Sequence, residues 1–374
     1  MNNKKELSVI VACGGTGGHA FPGVAAAEEL ASRGHDVTVW DSGRSVESSV
    51  IRNWKGNVFS TGAKQLSAGN AFANIRSILR CRKEMRKARP DVLLAMGSYS
   101  SLPPVLAARA CGVPVVLHEA NTVPGKAVDF LSRFAETVAI SFPSTSEFLP
   151  GVETVCTGLP VRAGIASGTR FPSIPPNAFT VFVTGGSQGA HAVNLLASEA
   201  LARLHRTIEA MDAPGRRPLY VIHQTGAADE GMVMAAYAKA GVPSRVKAFE
   251  DEMANAFASA DVVVARAGAS TCFELAACGK CSLLVPLPSA VRNHQHFNAE
   301  AFASIGAADE GTQAKLTVDS VANWLLSRYR NPAKIEDTGR KIKSLATPDA
   351  AKKLADAVEE AVRRRGGTRP SSKA

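Results

Sequence analysis

Residues 7–30 read LSVIVACGGTGGHAFPGVAAAEEL. An apolar run over 7–12 ends in the glycine cluster Gly14-Gly15-Thr16-Gly17-Gly18-His19, and helical spacing follows over 22–33. A strand, a glycine turn and a helix in that order open a βαβ unit. Glycine lets the backbone pass close to a ligand, and the helix start offers unpaired N–H groups and a partial positive charge. A phosphate, or a negative charge developing in a reaction, fits such a turn.

Working outward, β-rich runs at 36–40, 92–96, 113–117 and 138–141 are separated by helical periods, which predicts a parallel sheet. A Gly/Pro/Ser-rich stretch at 164–176 marks a domain junction, and then the pattern restarts. A strand at 179–184 leads into the turn Gly185-Gly186-Ser187-Gln188-Gly189, a helix over 190–203 and strands at 219–223, 246–249, 262–265 and 282–286. Two doubly wound units suit a chain of 374 residues. We place the first domain at 1–161 and the second at 162–344. A terminal helix at 345–365 is expected to pack back on the first, with a disordered basic tail at 366–374.

Hydrophobic residues make up 45% of the chain, an ordinary globular fraction, and no apolar run approaches the roughly 18–20 residues that span a bilayer. Lys4-Lys5 before the apolar start imitates a signal peptide, but the run passes into glycines, so a buried strand is the reading taken. The seven cysteines are odd in number and mostly isolated in apolar segments, as reduced thiols are. Cys278-Gly-Lys-Cys281 lacks the second ligand pair or thioredoxin context that zinc or redox chemistry needs.

The net charge of +10 fits nucleic acid, an anionic membrane or a phosphorylated substrate. No groove-reading or aromatic motif supports nucleic acid. Between 62 and 90 there are eight basic residues (Lys64, Arg76, Arg80, Arg82, Lys83, Arg86, Lys87, Arg89) against one acid, with Ile75, Ile78, Leu79 and Met85 interleaved. Such a segment can lie on an anionic leaflet or be a solvated helix with an ordinary core face.

The first loop supports two chemistries. Gly15 to Ala20 satisfies the dinucleotide pattern G-x-G-x-x-A, and Asp41 stands where a ribose-binding acid belongs, so a nicotinamide-dependent oxidoreductase competes. His19 is either a titratable group at the helix entry or a packed or capping residue. In the second unit, Arg266 to Glu274 follows an apolar run, with a helix expected to start near Thr271. Glu274 then either closes a capping box with Thr271 or reaches ribose hydroxyls from a helix start that holds a diphosphate. Arg292-Asn293-His294-Gln295-His296-Phe297-Asn298 follows a strand, where open α/β sheets bind ligands. No D-x-D motif is present, and Glu250-Asp251-Glu252 reads as a solvated helix start.

Seven segments, GGTGGHAFPG (14–23), GSYSSLP (97–103), HEANTVPG (118–125), GLPVR (158–162), GGSQGA (185–190), RAGASTCFE (266–274) and NHQHFNA (293–299), resemble in order and spacing the MurG family of bacterial N-acetylglucosaminyltransferases. The resemblance covers nearly the whole chain. It implies an α/β GT-B fold, two Rossmann-like doubly wound parallel-sheet domains facing across a cleft. It implies inverting, metal-independent transfer from UDP-N-acetylglucosamine to undecaprenyl-linked lipid I, forming lipid II for peptidoglycan, with no cofactor. It places the enzyme peripherally on the cytoplasmic face of the cell membrane, with the anionic membrane surface and other cell-wall synthesis proteins as partners.

Carried over by position, the resemblance implies donor contacts from Thr16, Gly17, Gly18 and Asn121. Arg162 and Ser187 would hold the diphosphate, Glu250 marks a backbone contact to uracil, and Ala269, Ser270, Thr271, Cys272, Phe273 and Glu274 would form the donor loop. Gln295 would read sugar hydroxyls. His19 is the candidate general base, with Tyr99, His118 and Glu119 as further candidates, while Ile75, Leu79, Arg80, Arg82, Arg86 and Lys87 would meet the membrane. Leu159 and Leu102 depart from the family pattern, where asparagine and glycine are usual. A related GT-B glycolipid glycosyltransferase or a UDP-sugar epimerase shares the fold and stays open.

Overall fold

The computed structural model describes residues 6–15, 17–43, 50–51, 54–65, 67–212 and 215–367. The chain divides into two compact units, Met1–Arg162 with Thr347–Ala374, and Ala163–Ala346.

The first unit is built on β1 (Ser8–Ala12), β2 (Asp36–Asp41), β3 (Asn57–Ser60), β4 (Val92–Ala95), β5 (Val115–Glu119), β6 (Thr137–Ile140) and β7 (Thr154–Cys156). Its helices are α1 (Gly17–Ser32), α2 (Ala71–Ala88), α3 (Leu102–Cys111) and α4 (Lys126–Leu131). The strands pair in parallel in the order β3-β2-β1-β4-β5-β6-β7, so the winding reverses between β1 and β4. β4, β5 and β6 are buried at every residue, which is why they read as continuous apolar runs without alternation. The edge strands β3 and β7 are short and largely exposed, and the apolar pattern gave no sign of them.

α1 starts at Gly17, ahead of the spacing that begins at Pro22. Pro22 lies inside the helix, where its ring withholds one backbone donor from the preceding turn. Glycine and proline are poor helix formers, so packing rather than propensity carries this first turn. Ala20, Val24, Ala27 and Leu30 are buried at helical spacing against the sheet.

The second unit holds β8 (Phe179–Thr184), β9 (Leu219–Gln224), β10 (Ser244–Lys247), β11 (Val262–Ala265), β12 (Cys281–Leu284) and β13 (Asp309–Glu310). Around them are α5 (His191–Glu209), α6 (Glu230–Ala240), α7 (Met253–Ser259), α8 (Ala269–Cys278), α9 (His294–Ala303), α10 (Val318–Arg330) and α11 (Pro332–Lys343). The order is β10-β9-β8-β11-β12-β13, again all parallel, with the reversal between β8 and β11. β10 ends before Phe249, which is exposed; the run 246–249 straddles the strand end.

The last helix, α12 (Ala350–Gly367), belongs to the first unit. Leu354, Ala355, Val358 and Ala361 are buried in the same core as α1 and β1. Burying one such leucine or valine contributes about 1.5–3 kcal/mol. A polar clamp fixes the register: Arg33 at the end of α1 reaches Asp356 at 2.6 Å, Glu359 at 3.1 Å and the Lys352 carbonyl at 2.9 Å. Buried His35 accepts from the Leu7 amide through Nδ1 and donates from Nε2 to Glu359. Residues 368–374 of the expected tail lie outside the described residues. No helix among the described residues is long and apolar enough to cross a membrane.

Candidate active site

In open parallel sheets ligands bind beyond the carboxyl ends of the strands where the winding reverses. In the first unit that point lies between the loop after β1 and the loop after β4. The Ser98 and Ser100 hydroxyls both reach the Gly14 carbonyl, at 3.1 and 2.5 Å, and so tie the two loops together. Ser98 holds a left-handed φ of 66°, strain that sits directly at this junction. Gly97, with φ +80°, is wedged in place: a Cβ there would lie 3.0 Å from the His118 carbonyl and 3.8 Å from the His19 ring. His19, half-buried in the first turn of α1, is thereby brought next to the end of β5.

His118 is fully buried, and burial pushes its imidazole down to about 4, so it is neutral at physiological pH. The Ser141 hydroxyl donates to the Glu119 carbonyl at 3.0 Å and receives the weak contact from His118 Nε2 at 3.4 Å. Burial pushes the Glu119 carboxyl up. Its Oε1 accepts from the backbone and side-chain amides of Asn121 (2.8 and 3.1 Å), and Oε2 accepts from the Gly125 amide (3.0 Å). Glu119 is thus occupied in shaping the 120–125 loop and in aiming Asn121. Tyr99 and Asn121 are both half-exposed.

Arg162 ends the first unit with its guanidinium 4.1 Å from the centroid of the Phe21 ring, which α1 carries. Sequence reasoning passed over Phe21, Ser98 and Ser100 as individual residues, since nothing local marks an aromatic as a platform for a distant arginine. Gly17 and Gly18 supply first-turn amides of α1, which have no carbonyl four residues earlier within the helix. Thr16 lies outside the described residues.

In the second unit the reversal puts the loop after β8 beside the loop after β11. The turn 185–189 leads into α5 and exposes Ser187. Its back is pressed on the loop after β9: a Cβ on Gly189 would lie 1.8 Å from the Thr225 carbonyl, and one on Gly226 would lie 2.2 Å from that of Gln188. Gln224 donates to the Gly186 carbonyl at 3.0 Å. Behind the turn, Asn194 donates to the Thr225 carbonyl and to Asp229, both at 2.8 Å. Asp229 also accepts from His191 at 2.9 Å, and that hydrogen bond holds its carboxyl below the usual range.

α8 begins at Ala269, not near Thr271, with Gly268 as its N-cap and no side-chain cap. The capping-box reading of Thr271 and Glu274 is therefore overturned, because Thr271 lies inside the first turn. Ala269, Ser270 and Thr271 form the first turn of α8, where an amide has no carbonyl four residues earlier within the helix. The side chains of Cys272 and Phe273 are buried, and the Cys272 amide is bonded to the Gly268 carbonyl at 3.0 Å. Glu274 is buried on the same helix. Arg266, buried at the end of β11, donates to the carbonyls of Val285 and Pro286 (3.1 Å each) and to Gln313 (2.7 Å), and burial pushes its guanidinium down.

The polar segment 292–298 is mostly helix rather than loop. Arg292 and Asn293 both sit in the left-handed region, at φ 53° and 55°, just before α9. Gln295 Oε1 accepts from the Leu287 amide at 3.0 Å, Asn298 donates to the Ala267 carbonyl at 3.1 Å, and His296 pairs with Glu310 at 2.6 Å. The acidic run 250–252 is not a solvated start throughout. Glu250 is buried and held by Arg245 (2.9 Å) and Lys247 (3.3 Å), so its side chain is spent and only its backbone can meet a base.

On α2, Ile75, Leu79, Arg80, Arg86 and Lys87 are exposed and Arg82 is half-buried. The amphipathicity is inverted in its first turns. Asn74 and Ser77 face inward, bonded to Lys64 N and the Thr61 carbonyl, while Phe72, Ile75 and Leu79 are 79%, 55% and 58% exposed. All seven cysteines are free thiols.

Comparison with known proteins settles which of these chemistries applies. Residues 9–140 match the glycosyltransferase family 28 N-terminal domain, and residues 180–354 match the family 28 C-terminal domain. The UDP-N-acetylglucosamine--N-acetylmuramyl-(pentapeptide) pyrophosphoryl-undecaprenol N-acetylglucosamine transferase of Geotalea uraniireducens is 35% identical over 363 residues, 94% of this chain and 97% of the relative. The like-named protein of Myxococcus xanthus is 34% identical over 94% of this chain and 92% of its own length. The chain belongs to the MurG family of glycosyltransferases. The MurG crystal structure from Acinetobacter baumannii superposes with a TM-score of 0.74 at 29% identity, covering 95% of this chain and all of that one. A Listeria monocytogenes structure titled putative UDP-N-acetylglucosamine 2-epimerase reaches 0.72 at only 12% identity over 96% of this chain and 98% of its own, which is a likeness of fold alone. The enzyme is a hexosyltransferase, and the nicotinamide reading of the first loop falls; Asp41, on which it leaned, is buried.

Proposed function

We propose that this enzyme transfers N-acetylglucosamine from UDP-N-acetylglucosamine to the 4-hydroxyl of the muramoyl sugar of undecaprenyl-linked lipid I, with inversion, yielding lipid II. The observation that carries this is near full-length identity of about one third to relatives named for that transfer. Glycine turns at both winding reversals support it.

The second unit takes the donor. The first-turn amides of α8 and the exposed Ser187 turn at α5 receive the diphosphate, each with the partial positive charge of a helix start. Arg162 supplies a cation, Glu274 binds ribose, the Glu250 backbone meets uracil, and the amide nitrogen of Gln295 reads the sugar. Stabilising a leaving diphosphate with fixed dipoles is the larger contribution to such a reaction.

The first unit takes the acceptor and activates its hydroxyl. Among the candidates for general base, His19 has the support. His118 is neutral and sealed in the core, and Glu119 has both oxygens engaged by amides, so each positions rather than reacts. His19 is half-exposed at the helix entry, and an imidazole in this role contributes about 10²–10⁴-fold. Tyr99 is on the acceptor side, and Gly17, Gly18 and Asn121 are donor contacts. The inverted face of α2, with Arg80, Arg86 and Lys87 nearby, lays the enzyme on an anionic, cytoplasmic leaflet where its lipid acceptor resides.

The test is transfer of labelled N-acetylglucosamine to a lipid I analogue. Product formation supports the reading, and its absence with binding-competent protein overturns it. His19→Ala that kept near-normal kcat with intact donor binding would remove His19 as base.

A further inference from the structure

We propose that His191, anchored through Nδ1 by Asp229, donates from Nε2 to the donor diphosphate alongside Ser187. The inference deepens the donor reading of the second unit and rests on it.

His191 is the first residue of α5, directly after the 185–190 turn. Its side chain is 67% exposed, yet it is not free to swing, because Nδ1 lies 2.9 Å from Asp229 Oδ1. A carboxylate only accepts, so Nδ1 carries the hydrogen and Nε2 is the nitrogen available to a ligand.

The anchor is built from the core outward. Asp229 Oδ2 accepts from Asn194, which is fully buried and spends its second N–H on the Thr225 carbonyl. With both amide hydrogens used, Asn194 Oδ1 must accept from His223 Nε2 at 3.1 Å, and His223 Nδ1 then accepts from the Tyr237 hydroxyl at 2.8 Å. The buried members of this chain all have partners, which fixes the tautomer of His223. Buried polar groups are costly to assemble. An ordinary surface histidine needs no such support, and the outer end of this one is a single imidazole at the phosphate turn.

The chemistry follows from the tautomer. Neutral His191 presents a lone pair at Nε2, which repels a phosphate oxygen. Protonated, it presents an N–H, and the proton comes from solvent. A doubly ionised diphosphate accepts from that N–H. Asp229 is the charged group paired with the ring, and neutral His223 stands behind it through Asn194.

UDP-N-acetylglucosamine is the right probe, since its esterified diphosphate does not titrate near neutrality; uridine is the phosphate-free control. Calorimetric binding to the full chain is measured at about pH 6 and about pH 8.5. For the wild type, sugar-nucleotide affinity is expected to fall with rising pH while uridine affinity stays level. His191→Asn should weaken sugar-nucleotide binding about five- to tenfold at the lower pH and flatten its pH dependence, without changing uridine binding. His191→Arg should bind tightly at both. If His191→Asn keeps the wild-type affinity ratio and pH slope, the assignment is wrong. If the wild type binds neither probe, the donor reading itself fails and the assignment falls with it.

Discussion

The guanidinium of Arg162 lies 4.1 Å above the ring of Phe21. A cation on an aromatic face is stabilised by about 0.5–2 kcal/mol, depending on how dry the site is. Phe21 therefore restricts where the guanidinium can lie. Phe21→Leu should lower kcat/KM for the sugar nucleotide about three- to tenfold, and Arg162→Ala should cost at least as much. The double variant should be no worse than Arg162→Ala alone. Additive losses in that cycle would show that Phe21 acts independently of the arginine.

Two buried histidines set the acid limit of stability. The ordinary imidazole takes its proton near 6.5, whereas His118 refuses one down to about 4 and His223 down to about 3, both because of burial. Below 6.5 the unfolded chain binds more protons than the folded one, so stability is fully present above that value and is lost as pH falls toward the folded values. Each group contributes on the order of 3 kcal/mol across its window. Urea unfolding at about pH 7.5 and about pH 5 should show this loss, and His118→Gln should flatten the slope for the first unit. An unchanged slope in that variant would assign the acid sensitivity elsewhere.

Glu359 accepts from both Arg33 and His35 at the seam between α1 and α12. Glu359→Ala should cost about 2–3 kcal/mol, because it leaves a buried imidazole N–H without its acceptor, although Arg33 keeps Asp356 and Glu29. Limited proteolysis is expected to cut first near α12. Wild-type resistance to protease together with an unchanged denaturation midpoint would refute this.

Phe72 is the most exposed of the three apolar side chains on the outer face of α2. Phe72→Glu together with Leu79→Glu should abolish sedimentation with vesicles rich in anionic lipid, while leaving the thermal midpoint unchanged because neither side chain is in the core. Retained binding in low salt would move the membrane contact elsewhere.

The central strands were legible because burial on both faces makes them mostly apolar; β5 and β8 are buried throughout. β3 and β7 were not, since an exposed edge strand such as Asn57–Ser60 carries no such run. The starts of α1 and α8 were placed too late because Gly17-Gly18 and Gly268 look like turn, whereas packing draws residues 17 and 269 into the helix. The glycine turns themselves could be read, as could the seven family segments. The parts that could not were pairings between distant positions: Ser98 with Gly14, Arg162 with Phe21, and Asn194 with Asp229. The burial of Glu250 was equally hidden, because its partners Arg245 and Lys247 stand on a strand whose period is masked by solvent.

The return of α12 to the first unit has a consequence for how the chain is made. Residues 163–346 are complete while Leu354, Ala355, Val358 and Ala361 are still untranslated. The second unit is contiguous in sequence, whereas the first is complete only once α12 has been made and can cover the apolar stripe of α1. A premature stop within α12 would strike not the nearby donor unit but the one synthesised at the outset, leaving that stripe open to aggregation.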